Sequence, residues 1–488
     1  MAIREHSIYD CILSNAQNFA GETALVSGDL RLTFAEVPLH VNCLARGLRS
    51  TGFEKGDRIA VLLNNCAEYA LLLAACSRIG LITVCLNTRT SADEMCKVLE
   101  NTKPKALLFQ TSYEQQAEAL RDLLPPRQLY SIDEDPSPLT DPQPGVDDGW
   151  LIIPTAAVDG IPKGALLSQR NVMASAAVHL QHFGREAIKG HLVALPIFHV
   201  MGLTSAWATF INGGKNVLLK QFEDKLAVQL IDAEKLTYFG SFPPVLERVL
   251  DTAKEAGTEL ESLRVVYGLE GPQNIQRLHE ETSAVFWTGF GQAETTAFIT
   301  ASPAAERPGS SGQATMLNSV AVVDEVDRQL PCGEEGEIVV RGENIFLEYW
   351  EMPEATASAQ RNNWHHTGDI GRFDEDGYLW YVKRKAEKEL IKTGGENVYP
   401  GEVENVLLKH PEIKECCVIG VPDKTWGEAV KAICVCSDGV KLSLDAVRDF
   451  VGEKIAGFKK PRQVFFVDEL PQTNNEIDRE AVKAKWGA

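Results

Sequence analysis

The chain has 488 residues, 44% hydrophobic and 24% charged. That composition suits a folded protein of two or three structural units and excludes disorder, a collagen-like repeat and a disulfide scaffold. Lys and Arg number 48 against 68 Asp and Glu, a formal charge of −20, which argues against non-specific binding to nucleic acid or to an anionic membrane.

The first residues, Met-Ala-Ile-Arg-Glu-His-Ser, lead into no apolar h-region and do not read as a signal peptide. The longest apolar stretch, 69–76, is far short of the roughly 20 residues a membrane span needs. Residues 58–63 (RIAVLL) read as a strand, 68–79 as a helix, 81–86 as a strand, 91–99 as a helix and 105–109 as a strand. Such alternation predicts parallel sheets covered by helices. The Pro-rich stretch 133–144 reads as a surface loop. Further on, 150–153 reads as a strand, and 321–326 and 336–341 as an antiparallel pair. Past 383 the pattern changes to helix 400–410, strands 415–421 and 429–436, helix 444–455 and strand 463–467. The predicted class is α/β. A large N-terminal domain of mixed and parallel sheets covered by helices, with a short β section, spans 1–382. A charged hinge (KRKAEK) follows at 383–388, and a small mobile α+β domain at 389–488. The eleven cysteines are odd in number and lack CxxC spacing, so they read as reduced thiols of a cytoplasmic protein, not as a metal site.

Five segments carry candidate chemistry. Thr155-Ala-Ala-Val-Asp-Gly-Ile-Pro-Lys-Gly164 follows a strand, where a Gly/Ser/Thr-rich loop can cradle phosphate through backbone N–H groups. Only Gly160, Pro162, Lys163 and Gly164 have that character. Ala156, Ala157 and Val158 bring no hydroxyl and Asp159 adds negative charge, so by itself the run reads as an ordinary turn. Pro196-Ile-Phe-His-Val-Met-Gly202 sets His199 among apolar residues, where a histidine is usually part of the core. In Gly289-Phe-Gly-Gln-Ala-Glu-Thr295, Glu294 could hold Mg²⁺ beside a phosphate or cap a helix. In His365-His-Thr-Gly-Asp369, Asp369 could take two hydroxyl hydrogen bonds, as a ribose offers, or close an Asx-turn. Gly394-Gly-Glu-Asn-Val-Tyr-Pro400 is the most specific. Its paired glycines let a backbone approach a ligand closely, and Pro400 opens a helix.

Taken together and in order, these segments resemble the adenylate-forming superfamily, in particular its AMP-forming acyl-CoA synthetases. The resemblance runs from Leu32-Thr-Phe-Ala-Glu36 and Lys55-Gly-Asp-Arg58 to Ile477-Asp-Arg479. It implies a large domain and a small one that rotates between two half-reactions. The first makes acyl-AMP from a carboxylate and ATP, and the second passes the acyl group to a thiol, usually that of CoA. By that resemblance Asp369 matches the ribose-binding aspartate, Arg384 the arginine that meets the nucleotide and Phe290 the aromatic beside the adenine. Gly268 lies in the adenine-flanking stretch. His199 matches the gate of the acyl pocket, Gly394, Gly395, Glu396 and Asn397 the loop of the pantetheine tunnel, and Trp426 lies in a further matching segment, Trp426-Gly-Glu428. The acyl pocket is expected near 199–203, 241–244 and 268–272, with an apolar character suited to a hydrophobic acid.

The phosphate-handling positions depart from the family. Ala156, Ala157 and Asp159 replace the Ser/Thr/Gly of its loop, and Ala293 replaces the threonine before Glu294. In Pro471-Gln-Thr-Asn-Asn-Glu-Ile-Asp-Arg479, Glu476 occupies the place of the catalytic lysine. Losing one preorganised donor costs about 10²–10³ in rate, and an added acid brings repulsion. The resemblance with these departures therefore implies the thioesterification half-reaction alone: acyl-adenylate plus CoA gives acyl-CoA plus AMP, with no metal cofactor. The adenylate would come from a separate adenylating enzyme. This is similar to the non-adenylating acyl-CoA ligases of platensimycin-type pathways. One alternative is a complete ATP-dependent ligase using Mg²⁺ at Glu294, with Lys163 or another cation substituting. The other is a non-catalytic relative, against which the retained 394–400 loop and Arg384 argue.

Overall fold

A computed structural model describes residues 5–120, 137, 139–140, 143–158, 161–384, 390–437, 442–473 and 476–487. The side chains of 156–158, 161, 384, 473 and 476 are outside that description. So are Asp159, Gly160, most of the 383–388 hinge and most of the Pro-rich stretch 133–144.

The βα alternation forms as its apolar runs dictate. Strands Arg58–Leu62, Ile82–Cys85 and Ala106–Phe109 are parallel neighbours and almost wholly buried. Buried on both faces, such strands read as continuous apolar runs. Helix Ala67–Ile79 crosses between the first two and ends on Gly80, whose φ of 78° gives the left-handed cap. Helix Ala92–Thr102 begins with a reciprocal capping box between Ser91 and Glu94. These strands belong to a six-stranded sheet in the order Glu348–Tyr349, Ile161–Ser168, Gly149–Val158, Ile82–Cys85, Arg58–Leu62, Ala106–Phe109.

A nine-stranded sheet lies beside it, with parallel strands Gly190–Val193, Lys215–Leu218, Tyr238–Ser241, Val265–Gly268 and Val285–Gln292 in its middle. Helices Gln169–Phe183 and Val200–Ile211 and the N-terminal Ile8–Asn18 contribute buried faces to the core around them. Trp150 of one sheet meets Trp207 of helix Val200–Ile211 at 5.4 Å between rings. An antiparallel five-stranded sheet built on Asn318–Val323, Gly336–Gly342, Trp364–Phe373 and Leu379–Arg384 is the predicted β section. Its first strand stops at Val323, short of the expected 326. The Asp324 carboxylate accepts from the N–H groups of Val326 and Arg328, so the chain turns there.

The C-terminal unit is a second α+β layer. Strands Glu396–Val398, Ile391–Thr393, Gly427–Cys436 and Ile413–Asp423 run in that order, with Gln463–Val467 parallel to Gly427–Cys436. Helices Pro400–Leu407 and Leu444–Gly452 cover it.

The 155–164 segment, read as an ordinary turn, joins strands Gly149–Val158 and Ile161–Ser168, which pair as a hairpin with Thr155 opposite Lys163 and Val158 opposite Ile161 and an irregularity in register between Thr155 and Val158. The eleven cysteines are free and seven are buried. Among the described residues no helix is long and apolar enough to cross a membrane.

Candidate active site

The carboxyl ends of the parallel strands and the edge of the C-terminal unit converge, as expected of ligand sites in α/β sheets. The C-terminal hairpin Ile391–Thr393/Glu396–Val398 supplies one such contact. Gly394 and Gly395, at φ of 58° and 83°, turn the chain between Thr393 and Glu396, which face each other in register. A Cβ on Gly394 would come within 2.7 Å of Trp426, and one on Gly395 within 3.4 Å of Phe242 of the large domain. The tight turn aims Glu396 at the large domain, where it is 5% exposed. Its carboxylate accepts from Arg89 at 2.7 Å and Asn87 at 3.1 Å, and lies 3.3 Å from His199 Nε2. Burial opposes its charge, but His199 and then Arg89 outweigh that and bring Glu396 down to about 2. His199 occupies the N-cap position of helix Val200–Ile211 without a side-chain cap and stays partly open. Trp426 stacks under the Arg462 guanidinium at 4.7 Å. Asn397, by strand alternation, is exposed and turned away from this contact.

The second part of the site is Asp369, fully buried on strand Trp364–Phe373. It accepts from Gln292 Nε2, which also donates to the Thr367 carbonyl at 3.0 Å. Arg384 lies opposite Asp369 in backbone register. Phe290 is buried, in a small cluster with Ile299, Val322 and Leu379, its ring 6.1 Å from that of Tyr381.

The third part joins the hairpin to the Gly-Gln-Ala-Glu segment. Strand Glu348–Tyr349 pairs with Ile161–Ser168. Tyr349 thereby donates its hydroxyl to Glu294 at 2.7 Å, while Lys163 Nζ lies 5.0 Å from the Tyr349 ring. Lys163, Tyr349 and Glu294 are thus neighbours, with Ala293 opening the same one-turn segment as Glu294. A single carboxylate beside a lysine fits a Mg²⁺ that takes most of its ligands from phosphate and water. No cluster of three or more His, Cys, Asp or Glu able to hold a metal exists among the described residues.

Gly268, at φ of 137°, ends its strand against Ser241: a Cβ there would lie 2.1 Å from the Ser241 carbonyl. Beside it Ser241 donates to Glu270 at 2.7 Å, and burial pushes the Glu270 carboxyl up. Glu476 lies in the short hairpin Gln472–Thr473/Glu476–Ile477, whose Gln472 reaches Glu415 of the same unit at 3.4 Å.

The structure therefore brings His199, Gly394, Gly395, Glu396 and Trp426 together, and Lys163 with Glu294. It leaves Asn397 outside the contact. Arg89, Asn87, Gln292 and Tyr349 were not among the sequence-based candidates. Arg89 and Asn87 had one available signal, a polar loop just past the carboxyl end of a buried parallel strand.

The chain matches the AMP-binding enzyme family over residues 13–350 and the AMP-binding enzyme C-terminal domain over residues 402–476. It is 32% identical to a feruloyl-CoA synthase of Amycolatopsis sp, over 95% of this chain and 96% of that protein. It is likewise 32% identical to an indoleacetate–CoA ligase of Aromatoleum aromaticum, over 93% of this chain and 92% of that one. Among solved structures, a double mutant of o-succinylbenzoate CoA synthetase from Bacillus subtilis, bound with its product analogue OSB-NCoA, superposes with a TM-score of 0.87 at 27% identity. That alignment covers 97% of this chain and 98% of the other. The same synthetase in complex with the acyl-adenylate OSB-AMP gives a TM-score of 0.72 at 28% identity, covering 97% of both chains. The present arrangement of the two units is thus closer to the form holding a CoA product analogue.

Proposed function

The chain belongs to the AMP-binding enzyme family, as an acyl-CoA ligase of its AMP-forming branch, and from that premise we propose that it carries out the complete ligation of a hydrophobic, aryl or acyl, carboxylic acid to CoA. In the first step a carboxylate oxygen attacks the α-phosphorus of ATP, the P–O bond to pyrophosphate breaks, and acyl-AMP forms. In the second the CoA thiolate attacks the acyl carbonyl, a C–S bond forms, and AMP leaves with the C–O electron pair.

The first step is supported by the likeness over nearly the whole chain to the feruloyl-CoA synthase and the indoleacetate–CoA ligase. The observation that carries the second step is the seat of Glu396 from the C-terminal unit on Arg89, Asn87 and His199 of the large one. It sets the Gly394–Gly395 turn against the mouth of the site, where a pantetheine arm would enter. Asp369 and Arg384 are assigned to the ribose and the nucleotide, and Phe290 and Gly268 to the adenine side. His199, Gly394, Gly395, Glu396, Asn397 and Trp426 are assigned to acyl and CoA handling. Lys163 and Glu294 are assigned to the outer phosphates, with Glu294 as the carboxylate for Mg²⁺, whose charge would offset that of the phosphates. The domain boundary is placed at 383–388, and the free thiols support a reducing, cytoplasmic setting.

A second reading rests on one specific observation. Glu476 stands in the lysine's place, with Ala156, Ala157, Asp159 and Ala293 along the phosphate path. It is thioesterification alone, fed by acyl-adenylate from another enzyme. Exchange of labelled pyrophosphate into ATP, driven by ferulate or indoleacetate, tests the first step. Acyl-CoA formation from the matching synthetic adenylate tests the second. Exchange together with transfer supports the complete ligase. Transfer without exchange leaves the half-reaction, and neither activity with any acid of a broad panel sinks both readings.

A further inference from the structure

The C-terminal unit grips the large domain a second time, through residues with no place in the chemistry above. Lys459 closes the one-turn segment Gly457–Lys459 and is 6% exposed. Its ammonium donates to Glu94 of the large domain and to both oxygens of Glu402, at 2.8 Å, in its own unit. The Phe458 ring lies 5.7 Å from it. Glu94 is itself buried at 8% exposure. A buried ion pair is costly to break when it leaves one charge alone, and here the lysine would not be. If the units part, Lys459 keeps Glu402. Glu94 keeps the hydrogen bond of the Ser91 N–H, which it accepts at 2.7 Å through its other oxygen. The contact is thus built to open without orphaning the lysine and with Glu94 still hydrogen-bonded. It also shares a loop with the first grip, since Asn87 and Arg89, which hold Glu396, lie just before Ser91.

We propose that Lys459 and Glu94 form an interdomain latch, with Glu402 holding the lysine when the latch is open, that positions the C-terminal unit for acyl transfer to CoA. The latch rests on the CoA-ligase reading and deepens it. Lys459 and Glu94 are positioning residues, since neither is assigned to a reacting group.

Glu94→Gln isolates the charge, because glutamine serves the capping box as well as glutamate does. With feruloyl-adenylate as the acyl donor, Glu94→Gln and Lys459→Met are expected to lower kcat/KM for CoA by about five- to tenfold, while pyrophosphate exchange is unchanged or raised. Glu402→Gln should act the other way, because it leaves Lys459 to Glu94 alone. Transfer is then kept and exchange falls. Equal loss of both half-reactions in all three variants, together with lowered Tm, would reduce the cluster to a structural role. Wild-type CoA kinetics in Glu94→Gln would overturn the latch. Small-angle scattering of the ligand-free chain supplies a readout that needs no substrate. The Glu94→Gln profile should move away from the arrangement described here, and an unchanged profile counts against the latch even if no acyl donor is found. A wild-type chain that makes no acyl-CoA from any of feruloyl-, indoleacetyl- and octanoyl-adenylate would instead sink the ligase reading.

Discussion

At Glu396 a carboxylate is kept ionised in a place where burial opposes its charge. Its ordinary value is 4.5 and in the folded chain it falls to about 2. A depressed acid contributes stability that is whole above its ordinary value and is lost as the pH falls through the folded one. Between about pH 4.5 and 2, then, this residue stops holding the two units together. The Tm gap between wild type and Glu396→Gln should persist at about pH 5.5 and narrow below about 4.5; a gap already closed at the higher value contradicts the assignment. Asp369 makes a different case. Its buried carboxylate accepts from Gln292, and the ribose role gives it the hydroxyl contacts of a bound nucleotide. Asp369→Asn should weaken AMP binding by about ten- to a hundredfold by calorimetry, the worth of hydrogen bonds to a charged acceptor. Unchanged affinity would remove Asp369 from the nucleotide site. At this scale the sequence singled out Asp369, Glu396 and His199 through the motifs that hold them, and the structure sets Glu396 beside His199. It was silent on Gln292 and Tyr349 and offered only a polar loop past a strand end for Arg89 and Asn87, because each is defined by a partner dozens or hundreds of positions away, as Arg89 is by Glu396.

Elements were legible in proportion to how local their cause is. The buried strands near 58–63, 81–86 and 105–109 and the helix capped by Ser91 carry their signals in their own residues. The hairpin Gly149–Val158/Ile161–Ser168 does not, because its length is set by ladder pairing and by strand Glu348–Tyr349 laid against it from far along the chain. The Gly394–Gly395 turn lies between these cases. The paired glycines announce a tight turn, and the fold adds the reason each is needed. An alanine at Gly394 would adopt a left-handed φ of 58° and press its Cβ to within 2.7 Å of Trp426. The conformation alone costs about 1–2 kcal/mol, and the clash displaces the turn that carries Glu396. Gly394→Ala should therefore cut acyl transfer more than tenfold while AMP affinity, which depends on the other domain, holds. Gly401→Ala is the control. Its Cβ meets nothing within 4 Å, in helix Pro400–Leu407, and alanine there should add about 0.5–1 kcal/mol of stability without loss of transfer. If both variants lose transfer alike, the turn's position is not what matters.

For the molecule as a whole, the charge of −20 says less than where charge sits in each arrangement of the two units. The form described here turns the Gly394–Gly395 hairpin toward the large domain. Among the described residues, Gln472 of the hairpin Gln472–Thr473/Glu476–Ile477 reaches Glu415 of its own unit. The likeness of this form to the synthetase form with a CoA product analogue, at a TM-score of 0.87 against 0.72 for the acyl-adenylate form, points the same way. Glu476, which by the family resemblance stands in the place of the catalytic lysine, is proposed to act in the other arrangement, the one in which ATP would be consumed. Glu476→Lys should raise pyrophosphate exchange several-fold, up to about 10² if charge at this position is the main obstacle. Acyl transfer from a preformed adenylate should stay within about twofold, because the outer phosphates on which Glu476 is proposed to act take no part in that step. A loss of transfer would mean that the hairpin touches the site in both arrangements. No gain in exchange would place the obstacle instead at Ala156, Ala157 and Asp159, where the sequence lacks the family's hydroxyls and adds an acid.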